Sequence, residues 1–226
     1  MQSLLDLGHV EDLETAAALF GACIQKRNFF EPEAYAAWCR RILVDHPVKR
    51  ALILPPGAYL DGDFWLDDGA ADTGGASIGT IVALGDLSIN GQIVSESHDS
   101  GLFLLAGGNL QTHGLIKGAA SIVVLGSLAS RGPIFCDYCP GSLVTGGSVT
   151  APLLVSNDHE IILGGAFAGL MVSNELGNMR EALVADVFAD PDDPDDEWPD
   201  GALVRARLEA ELPLLKHVGT SKDAGL

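Results

Sequence analysis

Leu104-Leu105-Ala106-Gly107-Gly108-Asn109-Leu110-Gln111-Thr112-His113-Gly114-Leu115-Ile116-Lys117-Gly118-Ala119-Ala120-Ser121-Ile122-Val123-Val124-Leu125-Gly126-Ser127-Leu128-Ala129-Ser130-Arg131-Gly132-Pro133-Ile134 is the stretch on which the fold turns. An apolar residue returns at every sixth position: Leu104, Leu110, Ile116, Ile122, Leu128, Ile134. The same step runs upstream through Ile81, Leu87 and Ile93, and downstream through Leu143, Val149, Val155, Ile161 and Phe167. Four residues after most anchors stands a small side chain (Gly85, Gly91, Ser97, Gly108, Gly114, Ala120, Gly126, Gly132, Gly147, Gly165). Tyr138, Leu153, His159 and Met171 are the exceptions. Each hexad therefore supplies a short strand with its anchor inward, then a corner where a small residue permits the bend. Three hexads make an 18-residue coil, and coils stack ~4.8 Å apart through parallel pairing. The reading is a mainly β fold, a three-sided parallel β-helix (β-solenoid) over residues 49–175.

The rest of the chain is arranged around this repeat. Extra residues fall between Ile93 and Leu104 and between Ile134 and Leu143, each time after a third hexad, so both insertions leave from one edge of the prism. A less regular first coil takes in Leu54, Leu60 and Leu66, with Asp67 to Ser77 as an excursion. Residues 1–48 read as a helical hairpin. Its first apolar stripe is Leu13, Ala16, Ala17, Phe20, Ile24. Its second helix opens at Glu31-Pro32-Glu33, carries Tyr35, Trp38, Cys39, Ile42 and Leu43, and closes at Pro47. Residues 176–201 read as an acidic loop, and 202–226 as a helix and tail with a stripe of Leu203, Leu208, Leu212 and Leu215. Solenoid ends expose unpaired strand edges, so the N-terminal hairpin and the C-terminal helix are expected to serve as caps.

Composition bounds the function. Lys plus Arg is 13 against 31 Asp plus Glu, a net charge of 13 − 31 = −18. That charge excludes nucleic acid and anionic membrane as natural partners and favours a basic protein surface. Gly is 27 of 226 residues and aromatics are 6%, as turns around a small-aliphatic core require. The start, Met1-Gln2-Ser3-Leu4-Leu5-Asp6, lacks a secretory n-region, and no apolar run approaches the ~18 residues of a membrane span, so a cytoplasmic location is expected. Cys23, Cys39, Cys136 and Cys139 are expected as reduced thiols rather than a disulfide framework.

Reactive side chains collect at the third-hexad edge: Glu96, His98, Asp99; Lys117; Asp137, Tyr138, Cys139; Asp158, His159, Glu160. Stacking would bring Cys139 beside His159, but nothing orients a base there, and a metal site would lack ligands. Cys136-Asp137-Tyr138-Cys139 is a lone C-x-x-C without the two further ligands that zinc needs. The segment from Asp190 to Gly201 lacks calcium-loop spacing and reads as a solvated acidic stretch in which Asp192, Asp193, Asp195 and Asp196 could attract a basic partner. His113 precedes a corner glycine and is expected to face solvent.

The runs Gly85-Asp86-Leu87-Ser88-Ile89-Asn90-Gly91, Gly108-Asn109-Leu110-Gln111-Thr112-His113-Gly114 and Gly126-Ser127-Leu128-Ala129-Ser130-Arg131-Gly132 resemble those of bactofilins, the polymer-forming β-helix family, over about residues 80–172. A hexad alone is compatible with either hand; the resemblance implies a right-handed coil, no catalytic residues, no nucleotide, and filaments built by end-to-end stacking. The flanking helices depart from that pattern and put stacking in doubt.

The expected function is therefore non-catalytic: an acidic β-solenoid that binds a basic protein, such as a toxin it neutralises as an immunity protein, through Glu96, His98, Asp99, Asp137, Tyr138, Asp158, His159, Glu160, Asp192, Asp193, Asp195 and Asp196. No cofactor or metal is expected, and the chain is expected as a monomer or small homo-oligomer. The alternatives are a bactofilin-like self-assembling scaffold and a hexapeptide-type acyltransferase using His98 or His113, which the negative charge would set against coenzyme A.

Overall fold

The computed structural model describes residues 6–27, 37, 48–66, 78–95, 97, 102–137, 141–193, 198–210 and 212–216. Residues 1–171 form one compact unit and 172–226 a second. Apart from Ala37, the expected second helix lies outside the described residues.

The first unit is a parallel β-solenoid. Its coils are β2 (Arg50–Leu54), β3 (Ala58–Asp61), β4 (Phe64–Trp65); β5 (Thr80–Ala83), β6 (Leu87–Asn90), β7 (Gln92–Ser95); β8 (Phe103–Ala106), β9 (Leu110–Thr112), β10 (Gly114–Lys117); β11 (Ser121–Val124), β12 (Leu128–Ser130), β13 (Ile134–Cys136); β14 (Ser142–Thr145), β15 (Val149–Ser156); and the incomplete β16 (Glu160–Leu163), β17 (Phe167–Ser173). The first ladder runs β2-β5-β8-β11-β14-β16, the second β3-β6-β9-β12-β15, and the third β4-β7-β10-β13-β15. Strand β15 is continuous through both ladders: Val149 pairs with Leu128 in the second and Leu154 with Ile134 in the third, and the in-out alternation shifts between Ala151 and Leu154 where the chain bends. An N-terminal strand, β1 (His9–Asp12), pairs antiparallel with β2 and occupies its outer edge. The polar residues His9, Glu11 and Asp12 on this four-residue strand blunt the edge they create.

Inward side chains form columns. Leu52, Ile81, Leu104, Ile122 and Leu143 line the first ladder and Leu87, Leu110, Leu128 and Val149 the second, all fully buried. Burying each such side chain contributes about 1.5–3 kcal/mol. These two columns agree with the hexad anchors. The third does not. Leu115 stacks between Ile93 and Ile134, and Leu154 lies over Ile134, so the inward residues are Leu115 and Leu154 rather than Ile116 and Val155. The cause is corner length. Thr112-His113 leads straight into strand at Gly114, whereas Arg131-Gly132-Pro133 spends one residue more before Ile134.

The corner glycines also have a different reason from the expected one. Among the described glycines only Gly57, Gly62, Gly169 and Gly177 have φ in the left-handed region. Gly108 is required instead by stacking. A Cβ there would fall inside contact distance of the backbone at Gly85 and Asp86, the same corner one coil earlier. Asp86 and Asn109 then tie corners together: Asp86 Oδ1 accepts from Asn109 N at 2.7 Å, and Asn109 Oδ1 from Ser127 N at 2.9 Å.

Outside the prism, the ladders differ. Helix α1 (Leu13–Lys26) is capped by Asp12, whose carboxylate accepts from Thr15 N at 2.7 Å. Its stripe of Leu13, Ala16, Phe20 and Ile24 packs on the outward residues Ile53, Val82, Leu105, Val123 and Val144 of the first ladder. The helix thus covers a flank, and β1 covers the edge. The outward residues of the third ladder, Val94, Ile116, Phe135 and Val155, are buried too. Those of the second are mostly polar: Tyr59, Gln111, Ala129 and Thr150 are exposed and Ser88 is half-buried.

The second unit contains α2 (Met179–Ala182), a 3-10 turn (Ala185–Val187) and α3 (Gly201–Glu209), so the stretch 176–201 is not loop throughout. Asp200 caps α3 by accepting from Ala202 N and Leu203 N. Val204, not the expected leucine stripe, is its buried residue, while Leu203 and Leu212 are exposed. Among the described residues no helix is long and apolar enough to cross a membrane.

Candidate functional site

The third corner of the solenoid, where reactive residues were expected, is organised around a buried lysine. Because Leu115 is inward and Ile116 outward, Lys117 is inward again. It shares a column with Ser95, Cys136 and Ser156. Lys117 is fully buried, and its ammonium donates to the Gly118 carbonyl at 3.1 Å and to His159 Nε2 at 2.5 Å. His159, 9% exposed, uses Nδ1 to donate to the Asp137 carbonyl at 3.1 Å. Those two bonds define the neutral tautomer with its proton on Nδ1. Burial first, then the Lys117 charge, hold the imidazole pKa down at about 4, with the Asp137 carbonyl opposing. His159 is thus a structural acceptor rather than an exposed partner residue, which corrects its expected role.

Around this pair, Asp137 accepts from Asn157 Nδ2 at 3.2 Å. Asp158, in the left-handed region at φ 45°, and Glu160 are exposed on the next coil. Glu96, His98, Asp99, Tyr138, Cys139, Asp195 and Asp196 lie outside the described residues. Cys136 is fully buried in the core, so it contributes nothing to a surface C-x-x-C. Among the described residues no three His, Cys, Asp or Glu side chains gather as a metal would require.

The fold depends on His159 remaining neutral. In the unfolded chain it titrates near 6.5 and in the folded chain near 4, so the folded state resists protonation. The resulting contribution is complete above pH 6.5 and is lost as pH falls through 4. The full gap is worth up to about 3 kcal/mol. Urea unfolding at about pH 7 and about pH 4 should show a larger acid loss for the parent than for His159→Gln, beyond the carboxylate titrations common to both. Equal losses would show that the imidazole is not the acid-sensitive group.

The acidic segment of the second unit is more ordered than its composition suggests. Arg180 donates to the backbone carbonyls of Asp190 and Pro191, each at 2.9 Å, and to that of Asp193. The guanidinium also lies 4.3 Å from the Phe188 ring centroid. Asp190 Oδ1 accepts from the amides of Asp192 and Asp193, which closes the turn. Asp192 and Asp193 themselves are exposed.

A second feature was not expected from the sequence. The outward row of the second ladder forms a shallow groove of about 240 Å³, in which Tyr59, Ser88, Asn90, Gln111, His113 and Arg131 converge. Tyr59 is 53% exposed. His113, half-buried on the open groove, places Nε2 2.8 Å from Arg131 Nη1 and accepts its hydrogen bond. The available signal was the residue after each anchor: Ser88, Gln111, Ala129 and Thr150 on the second ladder, against Val82, Leu105, Val123 and Val144 on the first.

Compared with known proteins, the chain matches no family model, no curated protein and no solved structure.

Proposed function

We propose that this chain is a non-catalytic binding scaffold that presents the acidic third corner of its solenoid to a basic protein, the class to which a cationic toxin belongs. One observation carries the reading. The corner's reactive groups, Lys117 and His159, are buried in bonds to each other and to backbone carbonyls, while the carboxylates of Asp158 and Glu160 face solvent. A net charge of −18 supports rapid, salt-sensitive association with a cationic surface. The likeness of the repeats to bactofilins also supports a scaffold over an enzyme.

A second reading, self-assembly, is favoured by the far end. Among the described residues no strand pairs with β16 on the side away from β14, and Ile161, Ile162 and Leu163 on it are only partly buried. With β1 closing the opposite edge, assembly through β16 alone would yield pairs rather than filaments.

Capture from lysate at low salt should recover a basic protein that releases as the Debye length shrinks from about 10 Å at 0.1 M to about 3 Å at 1 M. Reversing two charges, in Asp158→Lys with Glu160→Lys, should weaken the captured pair about tenfold or more. Equal binding by the double variant would remove the third corner from the interface. Sedimentation showing a concentration-dependent pair of chains, with no captured partner, would favour the second reading.

A further inference from the structure

We propose that the outward groove of the second ladder is a carbohydrate site, taking a short sugar segment that carries one carboxylate. This site is independent of the acidic corner. The outward rows of the first and third ladders are apolar and buried, so the second ladder is where the described solenoid meets solvent with polar side chains.

Three features of that row converge on one ligand chemistry. The first is the aromatic platform: Tyr59 leaves half its surface open at one end of the groove, in a chain with three tyrosines. An exposed ring face suits the apolar C–H face of a sugar ring, as edge-on contacts to aromatic faces generally do. The second is a set of uncommitted polar groups. Most corner side chains nearby are engaged in holding the fold: Thr112 lies 2.9 Å from the Gly91 and Gly114 carbonyls, Ser130 donates to the Gly132 carbonyl, and Asn90 donates to Asp61. Among the described residues Ser88 and Gln111 make no such bond, and each offers a donor and an acceptor to hydroxyls.

The third feature is Arg131. It makes no ion pair among the described residues, although the chain holds 31 acidic side chains against 13 basic ones. Its guanidinium is steadied by the His113 imidazole instead, which leaves its other donors for an incoming carboxylate. A peptide fits this face less well. The main chain of β6 and β9 is already paired on both sides, so no strand can be added, and a polyanionic peptide would be repelled by the net charge. The groove's 240 Å³ lies below the ~300 Å³ of typical drug-sized sites, which limits the ligand to a short segment.

3′-Sialyllactose, a trisaccharide with one carboxylate, titrated into the ¹⁵N-labelled full chain tests this. Expected are saturable shifts confined to Ser88, Asn90, Gln111 and Arg131, with quenching of Tyr59 fluorescence. Arg131→Ala and Tyr59→Ala, both surface changes, should each weaken binding about tenfold at an unchanged melting temperature. Neutral lactose, which lacks the carboxylated sugar, should bind about tenfold more weakly than 3′-sialyllactose. Absence of saturable shifts, equal affinity in the Arg131→Ala variant, or tighter binding of a glutamate tripeptide would each overturn the assignment.

Discussion

Replacing Gly108 by alanine should destabilise the solenoid by about 3 kcal/mol, the upper end of what overpacking costs. The added methyl would meet backbone at Gly85 and Asp86, and backbone cannot rotate away as the tip of a side chain can. Relief requires two successive coils to separate, which would stretch the bonds from Asp86 to Asn109 and from Asn109 to Ser127. Gly21→Ala provides the matched control. That glycine lies within α1 and a Cβ there meets nothing within 4 Å. The same substitution should stabilise by about 0.5–1 kcal/mol, through helix propensity and reduced unfolded-state freedom. Urea midpoints that move in opposite directions at unchanged slope would establish that corner glycines serve coil spacing. A neutral Gly108→Ala would show that the stack has slack.

Lys117→Ala should be the most damaging substitution at the third corner, with a loss of about 3–5 kcal/mol. It empties a fully buried site and leaves His159 Nε2 and the Gly118 carbonyl without the ammonium that satisfies them. Lys117→Met keeps much of the stem's volume and removes the charge, so about half that loss is expected. The two variants separate packing from polarity. Nitrogen-detected titration of His159 provides a second readout. In Lys117→Met the imidazole pKa should rise above about 4 yet stay below 6.5, because burial, the larger cause of its depression, persists. A pKa unchanged by Lys117→Met would mean that the lysine charge does not reach the ring.

Much of this was legible in the sequence. The step of six located the coils and fixed the first two inward columns, because an apolar residue every sixth position can be satisfied only by a stacked triangular coil. The third column was misread by one residue at Leu115 and Leu154, since two neighbouring apolar residues, Leu115-Ile116 or Leu154-Val155, fit a hexad equally well. That slip had a consequence. Counted from Ile116, Lys117 looks outward and solvated; counted from Leu115, it is inward and buried. The α1 stripe was likewise legible, but an amphipathic pattern states that one face is covered without stating by what. The groove went unread because Tyr59 sits in the first, irregular coil, outside the run of hexads, while Ser88 and Gln111 look like ordinary solvated positions when taken singly.

Strand β15, which runs from the second ladder into the third as one continuous strand, bears on how the prism would fail under load. In the other complete coils separate strands serve the two ladders, and a one-residue slip on one side could be taken up in the break between them. In β15 one continuous strand of eight residues, Val149 to Ser156, serves both ladders, with its bend between Ala151 and Leu154. Shear on either face must therefore displace both at once and break both sets of hydrogen bonds together. The coil acts as a crosspiece near the open end of the stack, setting the phase of two walls that elsewhere meet through hinges.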